Sequence, residues 1–108
     1  MLSDRKNLAE SGVVTFTIEE DVRMRAISGH IFIDSRGFVH AHEMMKIHKE
    51  IIKSVRMLYE QTIAENPAID RGSLVQILRR EIGKLCFVLT GRTPIVMPII
   101  IEKNISNF

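Results

Sequence analysis

The first regular pattern along the chain runs from Val13 to Glu19, where β-branched and aromatic residues (VVTFTIE) partly alternate with polar ones. That period of two predicts a strand. An acidic turn at Glu20 and Asp21 leads into a second strand from about Met24 to Ile33, with Gly29 inside it as a bulge or point of close approach. From Glu43 to Glu65 the period lengthens. Met44, Ile47, His48, Ile51, Val55, Leu58, Tyr59 and Thr62 fall on one stripe, which predicts a helix that stops before Pro67. A second helix opens after Ser73 as its cap, buries Leu74, Leu78, Ile82, Leu85 and Leu89, and ends at Gly91. The last apolar run, Ile95 to Glu102 (IVMPIIIE), predicts a strand covered by helices on at least one face. Pro98 in its middle has no amide to donate, so the strand is unpaired on one side there or bulged. Before all of these, Leu2 to Glu10 fits a short helix stopped by Gly12.

The order β, β, α, α, β predicts an α+β (or α/β) fold: a three-stranded mixed sheet with two helices on one face. A hairpin joins the first two strands, and the third returns after the helical crossover. Two helices cover only one face of such a sheet. Ile99 and Ile101 point to one side of the last strand and Ile100 to the other, so large apolar groups reach both faces. The face away from the helices is therefore expected to be a surface for self-association or docking, with Ile99, Ile100 and Ile101 as its candidate residues.

Composition sharpens this picture without changing it. A chain of 108 residues, 45% hydrophobic and 26% charged, holds one core and one domain. The net charge of +2 is too small to argue nucleic-acid binding by itself. Arg71, Arg79, Arg80, Lys84 and Arg92 gather around the second helix, but Glu81 is interleaved and no aromatic platform accompanies them. Arg36, Arg79, Arg80, Lys84 and Arg92 are kept as candidate contacts to RNA or to another domain. The single cysteine, Cys86, lies on an apolar stripe and fits a reducing compartment. Neither a secretory leader nor a membrane span is legible, so the expected location is cytoplasmic, away from membranes.

The chemistry-bearing residues do not assemble into a catalytic set. His40, Ala41, His42 and Glu43 suggest a metal sequence, but the pattern HxHxDH of metallo-β-lactamase-type hydrolases needs Asp and His where Met44 and Met45 stand. Thioethers do not substitute for a carboxylate and an imidazole on zinc. Cys86 has no histidine nearby in sequence, and His48, on the apolar side of its helix, reads as a hydrogen-bonded core or interface group. Phosphate loops, dinucleotide turns, HExxH helices and CxxC pairs are absent from the sequence. The expected catalytic, metal-binding and cofactor residues of this chain are therefore none.

Two turn segments carry more information. Asp34, Ser35, Arg36, Gly37, Phe38 and Val39 place glycine after a cation at a strand end, and Gly91 to Ile101 pass from a helix end through proline into a strand. With Asp4, Arg5, Leu8, Ala9, Glu10, Ser11 and Gly12 upstream, this order resembles the C-terminal domain of the ribonuclease J family. That family shows "DR..LAEDG", "SRGFV" and "RRPMILPVIMEV" around the same elements. Ser35 to Val39 are unchanged here, whereas Ser11 replaces the acidic residue of "AEDG".

The resemblance implies a parent enzyme with a metallo-β-lactamase core, a β-CASP domain, a linker and this terminal domain. Such a parent is a zinc-dependent ribonuclease with 5′-to-3′ exonuclease and endonuclease activity. Its zinc and hydrolytic residues lie in upstream domains of the same polypeptide. The terminal domain, residues 1–108 here and part of a longer chain, supports oligomeric assembly and full activity without catalysing. Two other readings stand beside this one: a free RNA-binding module using the basic helix face, and an independent metal-dependent hydrolase using His40 and His42.

Overall fold

A computed structural model of the protein describes residues 12–103. The expected helix at Leu2–Glu10 lies outside them. The elements are β1 (Val13–Asp21), β2 (Ala26–Ile27), β3 (Phe32–Arg36), α1 (Ala41–Glu65), α2 (Arg71–Thr90) and β4 (Ile95–Lys103). β1 is the central strand. β4 runs parallel to it along its whole length, Val13 opposite Ile95 through Asp21 opposite Lys103. β2 and β3 both pair with β1 antiparallel, at Glu20–Asp21 and at Val13–Thr17 respectively. A strand has two hydrogen-bonding edges and β4 occupies all of one, so β2 and β3 share the other.

The sheet is mixed, as expected, but it has four strands rather than three. The expected second strand, Met24–Ile33, is divided. From Ile27 to Phe32 the chain advances five residues while its partner, from Glu20 back to Thr17, covers three. Two extra residues must therefore leave the ladder. They do so around Gly29, whose φ of 78° is left-handed and which is where the sequence placed its bulge. Ile31, in this excursion, turns into the core. Glu20 and Asp21 belong to β1 rather than to the turn. The Asp21 carboxylate accepts from the amides of Arg23 and Met24 instead, the local turn that aspartate favours.

α1 begins at Ala41, slightly before the expected Glu43, and ends before Pro67. It buries Ile47, Ile51, Val55, Tyr59 and Thr62, five members of the stripe read from the sequence. α2 begins at Arg71 with Asp70 as its cap. Ser73 is not the cap: its amide and hydroxyl both donate to the Asp70 carboxylate, which holds that carboxyl below its usual range. Gly91 closes α2 in the left-handed conformation, its amide donating to the Phe87 carbonyl. Both helices pack on one sheet face, around Val14, Phe16, Ile18, Ile51, Val55, Tyr59, Leu74, Leu78, Ile82 and Cys86, all fully or almost fully buried. Burying a side chain the size of Phe16 or Ile18 stabilises by about 1.5–3 kcal/mol each.

Pro98 is accommodated at the sheet edge. The Ile95 amide donates to the Gly12 carbonyl, and amides along a strand alternate in direction. The nitrogen of Pro98, three residues on, therefore faces away from β1, where no ladder bond is lost.

Candidate functional site

Gly12 and the two turn segments singled out above meet at one end of the sheet. Gly12 is buried with φ of 79°, and a Cβ there would lie 2.3 Å from the Arg36 carbonyl oxygen and 2.5 Å from the Gly37 carbonyl carbon. Only glycine fits a contact of backbone against backbone. Gly37, also left-handed at 65°, turns the chain from β3 toward α1. The Gly12 carbonyl is the one that receives the Ile95 amide at 3.0 Å, which brings in the segment after Pro94. Beside this junction a cavity of about 530 Å³ lies between Gly37–His40 and Leu89–Arg92. Glu43 and Arg92 line it with charges of opposite sign, beside the His40 ring.

Ser35 explains the first half of the SRGFV segment. It is buried, and its hydroxyl lies 2.7 Å from Nε2 of His48 on α1, so the pair fastens β3 to the helix. Burial holds the His48 imidazole below its ordinary pKa, opposed in part by the Asp34 charge. Asp34 itself is exposed on the opposite sheet face, in the row with Thr15 and Met97, so it does not complete a nucleophile, base and carboxylate arrangement.

His40 and His42 stack with ring centroids 5.8 Å apart and planes 13° apart. Among the described residues no group of three or more His, Cys, Asp or Glu is placed to hold a metal ion. The donors present do not fit a zinc site. Cys86 is buried, which pushes its thiol up to about 11. At neutral pH that sulfur is a protonated core group with little nucleophilic character.

The candidate cations are distributed over several surfaces. Arg36 lies at the end of β3 beside Asp34, 3.7 Å away. Arg80 and Lys84 both turn to the Glu81 carboxylate, at 3.0 and 3.5 Å. The Arg80 hydrogen bond, with Lys84, holds that carboxyl below its usual range. Arg79 lines a cavity together with Ile95–Met97 of β4, and Arg92 lines the cavity described above.

The outer sheet face is different in character. Register places Arg36, Val13 and Ile95 in one row, Asp34, Thr15 and Met97 in the next, and Phe32, Thr17 and Ile99 in a third. Ile95, Met97, Ile99, Ile101 and Phe32 are 41–57% exposed. Of the three isoleucines named from the sequence, Ile99 and Ile101 lie on this face. Ile100 turns inward and packs against the core, as strand alternation requires, and does not belong to the surface. Ile95 and Met97 were legible by extending that alternation. Phe32 was not, because its place depends on the bulge at Gly29.

A buried polar cluster escaped the sequence reading altogether. Tyr59 donates its hydroxyl to Glu20 Oε2 at 2.5 Å, and Arg25 Nε donates to the same oxygen at 3.2 Å. Arg25 also donates to the Pro67 and Ile69 carbonyls, with its own backbone in the left-handed region at φ of 51°. Burial, with the hydrogen bond to Glu20 and its charge, raises the Tyr59 hydroxyl above its ordinary range. The cluster clamps the β1–β2 turn to the loop between the helices. Its members come from three distant segments, each unremarkable alone.

The model of the ribonuclease J C-terminal domain matches residues 1–103. Ribonuclease J 2 of Staphylococcus epidermidis is 35% identical over 102 residues, covering 94% of this chain and 18% of that protein. Ribonuclease J 2 of Staphylococcus aureus is 34% identical over the same shares. The chain belongs to the ribonuclease J C-terminal domain family. It spans 18% of the length of these relatives. In this ribonuclease J C-terminal domain the family segments quoted above are structural joints: Gly12 against Arg36–Gly37, Ser35 against His48, and Ile95 against Gly12. Among the described residues no helix is long and apolar enough to cross a membrane.

Proposed function

We propose that this domain is the non-catalytic accessory part of a ribonuclease J-type RNA-degrading enzyme, and that it supports assembly and activity of that enzyme through its open sheet face. The parent reaction is zinc-dependent hydrolysis of RNA, 5′-to-3′ and internal, carried out in the cytoplasm by upstream domains of the same polypeptide. The zinc ligands lie in those domains. This domain adds an apolar surface.

The observation that carries the reading is the outer sheet face. Four large apolar side chains, Ile95, Met97, Ile99 and Ile101, line β4 there at 41–48% exposure, with Phe32 across Thr17, and contiguous apolar surface on a small domain marks a partner surface. A symmetric pair of copies would use the same face twice, the commonest arrangement among oligomers. Sedimentation of the chain over a concentration series tests it. Association that Ile99→Glu abolishes while the circular dichroism spectrum is retained is the expected result, and a monomer at all concentrations defeats the assembly role. RNA hydrolysis by the chain with zinc or manganese, lost on His40→Ala, would defeat the non-catalytic reading.

A further inference from the structure

We propose that the outer edge of β4, with the groove beside it on α2, binds an extended peptide carrying alternating apolar and acidic side chains. The site is in the plane of the sheet and is separate from the open face discussed above.

β4 pairs only with β1 among the described residues, which leaves one edge of a nine-residue strand open. Because the Ile95 amide points to β1, the amides of Val96, Ile100 and Glu102 point outward by alternation, as do the carbonyls of the same residues. Such a row is a template for adding a strand. Pro98 removes one donor from the middle of it.

Next to this edge α2 presents Gly83. The nearest heavy atom to a Cβ built there is Val96 Cγ2, 4.0 Å away. Gly83 lines two cavities, which serve as the two arms of the groove. One arm, about 480 Å³, lies along Pro94–Met97 and includes Arg79; the other, about 510 Å³, includes Lys84, Phe87 and Val88. Phe87 and Val88 are 55% and 78% exposed. Among the described residues the charged side chains lining the two arms are Arg79 and Lys84, the latter also 3.5 Å from the Glu81 carboxylate.

These features select the occupant. An edge that alternates amides with carbonyls matches a peptide backbone, whereas its carbonyls repel phosphates. In an added strand, one set of side chains would continue the apolar rows of Met97 and Ile99, and the alternate set would face α2 and its cations. Carboxylates suit the second set. A second copy of this chain suits the edge poorly, since two-fold pairing of β4 with itself sets the Arg79–Gly83 stripe against its own like and brings two prolines into the ladder.

The test uses the full chain and a dye-labelled, N-acetylated decapeptide of alternating valine and glutamate. Saturable binding is expected, with slower hydrogen exchange at the Val96 and Ile100 amides. Arg79→Glu with Lys84→Glu should weaken it roughly tenfold, two exposed charge contacts being reversed. Gly83→Ala should weaken it by narrowing the groove, while the 4.0 Å from its Cβ to Val96 Cγ2 is an ordinary contact that leaves the domain folded. The proposal fails if the peptide does not bind at about millimolar concentration, if a valine–lysine peptide binds equally, or if neither variant weakens binding. It also fails if those two amides are already protected in the free monomer or become protected only on self-association.

Discussion

Both faces of one sheet carry large apolar residues, and these have opposite fates. On the inner face Val14, Phe16 and Ile18 are at 0% exposure beneath the helices, while on the outer face Ile95, Met97 and Ile99 remain 41–48% exposed. Hydrophobicity alone does not decide burial. Two helices span one side of the sheet, and among the described residues no element covers the other. The same contrast holds for charge, because Glu20 is buried on the inner face with Tyr59 and Arg25 in place, whereas Glu19, the next residue back, pairs with Lys103 at the surface.

Substitutions on the inner face should break the comparison hardest. Phe16→Ala is expected to cost about 3–5 kcal/mol, a large share of the total for a domain of this size, read from urea unfolding midpoints. If it costs no more than Ile99→Ala, the inner face is not the core. Gly12→Ala should cost at least about 2 kcal/mol, combining left-handed strain with a backbone clash. A variant as stable as the parent would show that the Gly12–Gly37 crossing is misplaced.

The polar cluster comes next. Tyr59→Phe leaves the buried Glu20 carboxylate without its hydroxyl donor and should cost about 1.5–3 kcal/mol, the usual value for a hydrogen bond to a charged group. A neutral result would make Arg25 sufficient for Glu20. On the outer face Ile99→Ser should change monomer stability by about 0.5 kcal/mol or less, measured below the concentration at which copies associate. A larger loss would mean that this face is covered within one chain.

The smallest effect is in the pH dependence. His48 has its pKa lowered in the folded state, so the unfolded chain binds more protons near and below pH 6.5, and stability must rise with pH through that window. Stability from this group is therefore present above about pH 6.5 and lost as the pH falls toward the folded pKa. His48→Gln should flatten the change in unfolding midpoint between pH 7.5 and 5.5. An unchanged slope would assign that dependence to other groups.

The sequence by itself determined which segments become strands and helices, because burial on one side imposes its period on the residues: two along β1 and β4, between three and four along α1 and α2. It also located the stops at Gly91 and Pro67, where backbone geometry permits few alternatives, and the family segments. What it left open depends on groups distant in the chain. The division of β2 from β3 follows from register against β1, and the capping of α2 by Asp70 rather than Ser73 follows from where the loop enters the helix. Arg25 reaches Glu20, Tyr59, Pro67 and Ile69 only once the β1–β2 turn lies against the helical loop, and a buried charge is tolerable only when such partners are in place. Ile99 and Ile100 are adjacent, identical residues with opposite roles. Alternation separates them, but only the side on which the helices pack decides which one is core and which is surface.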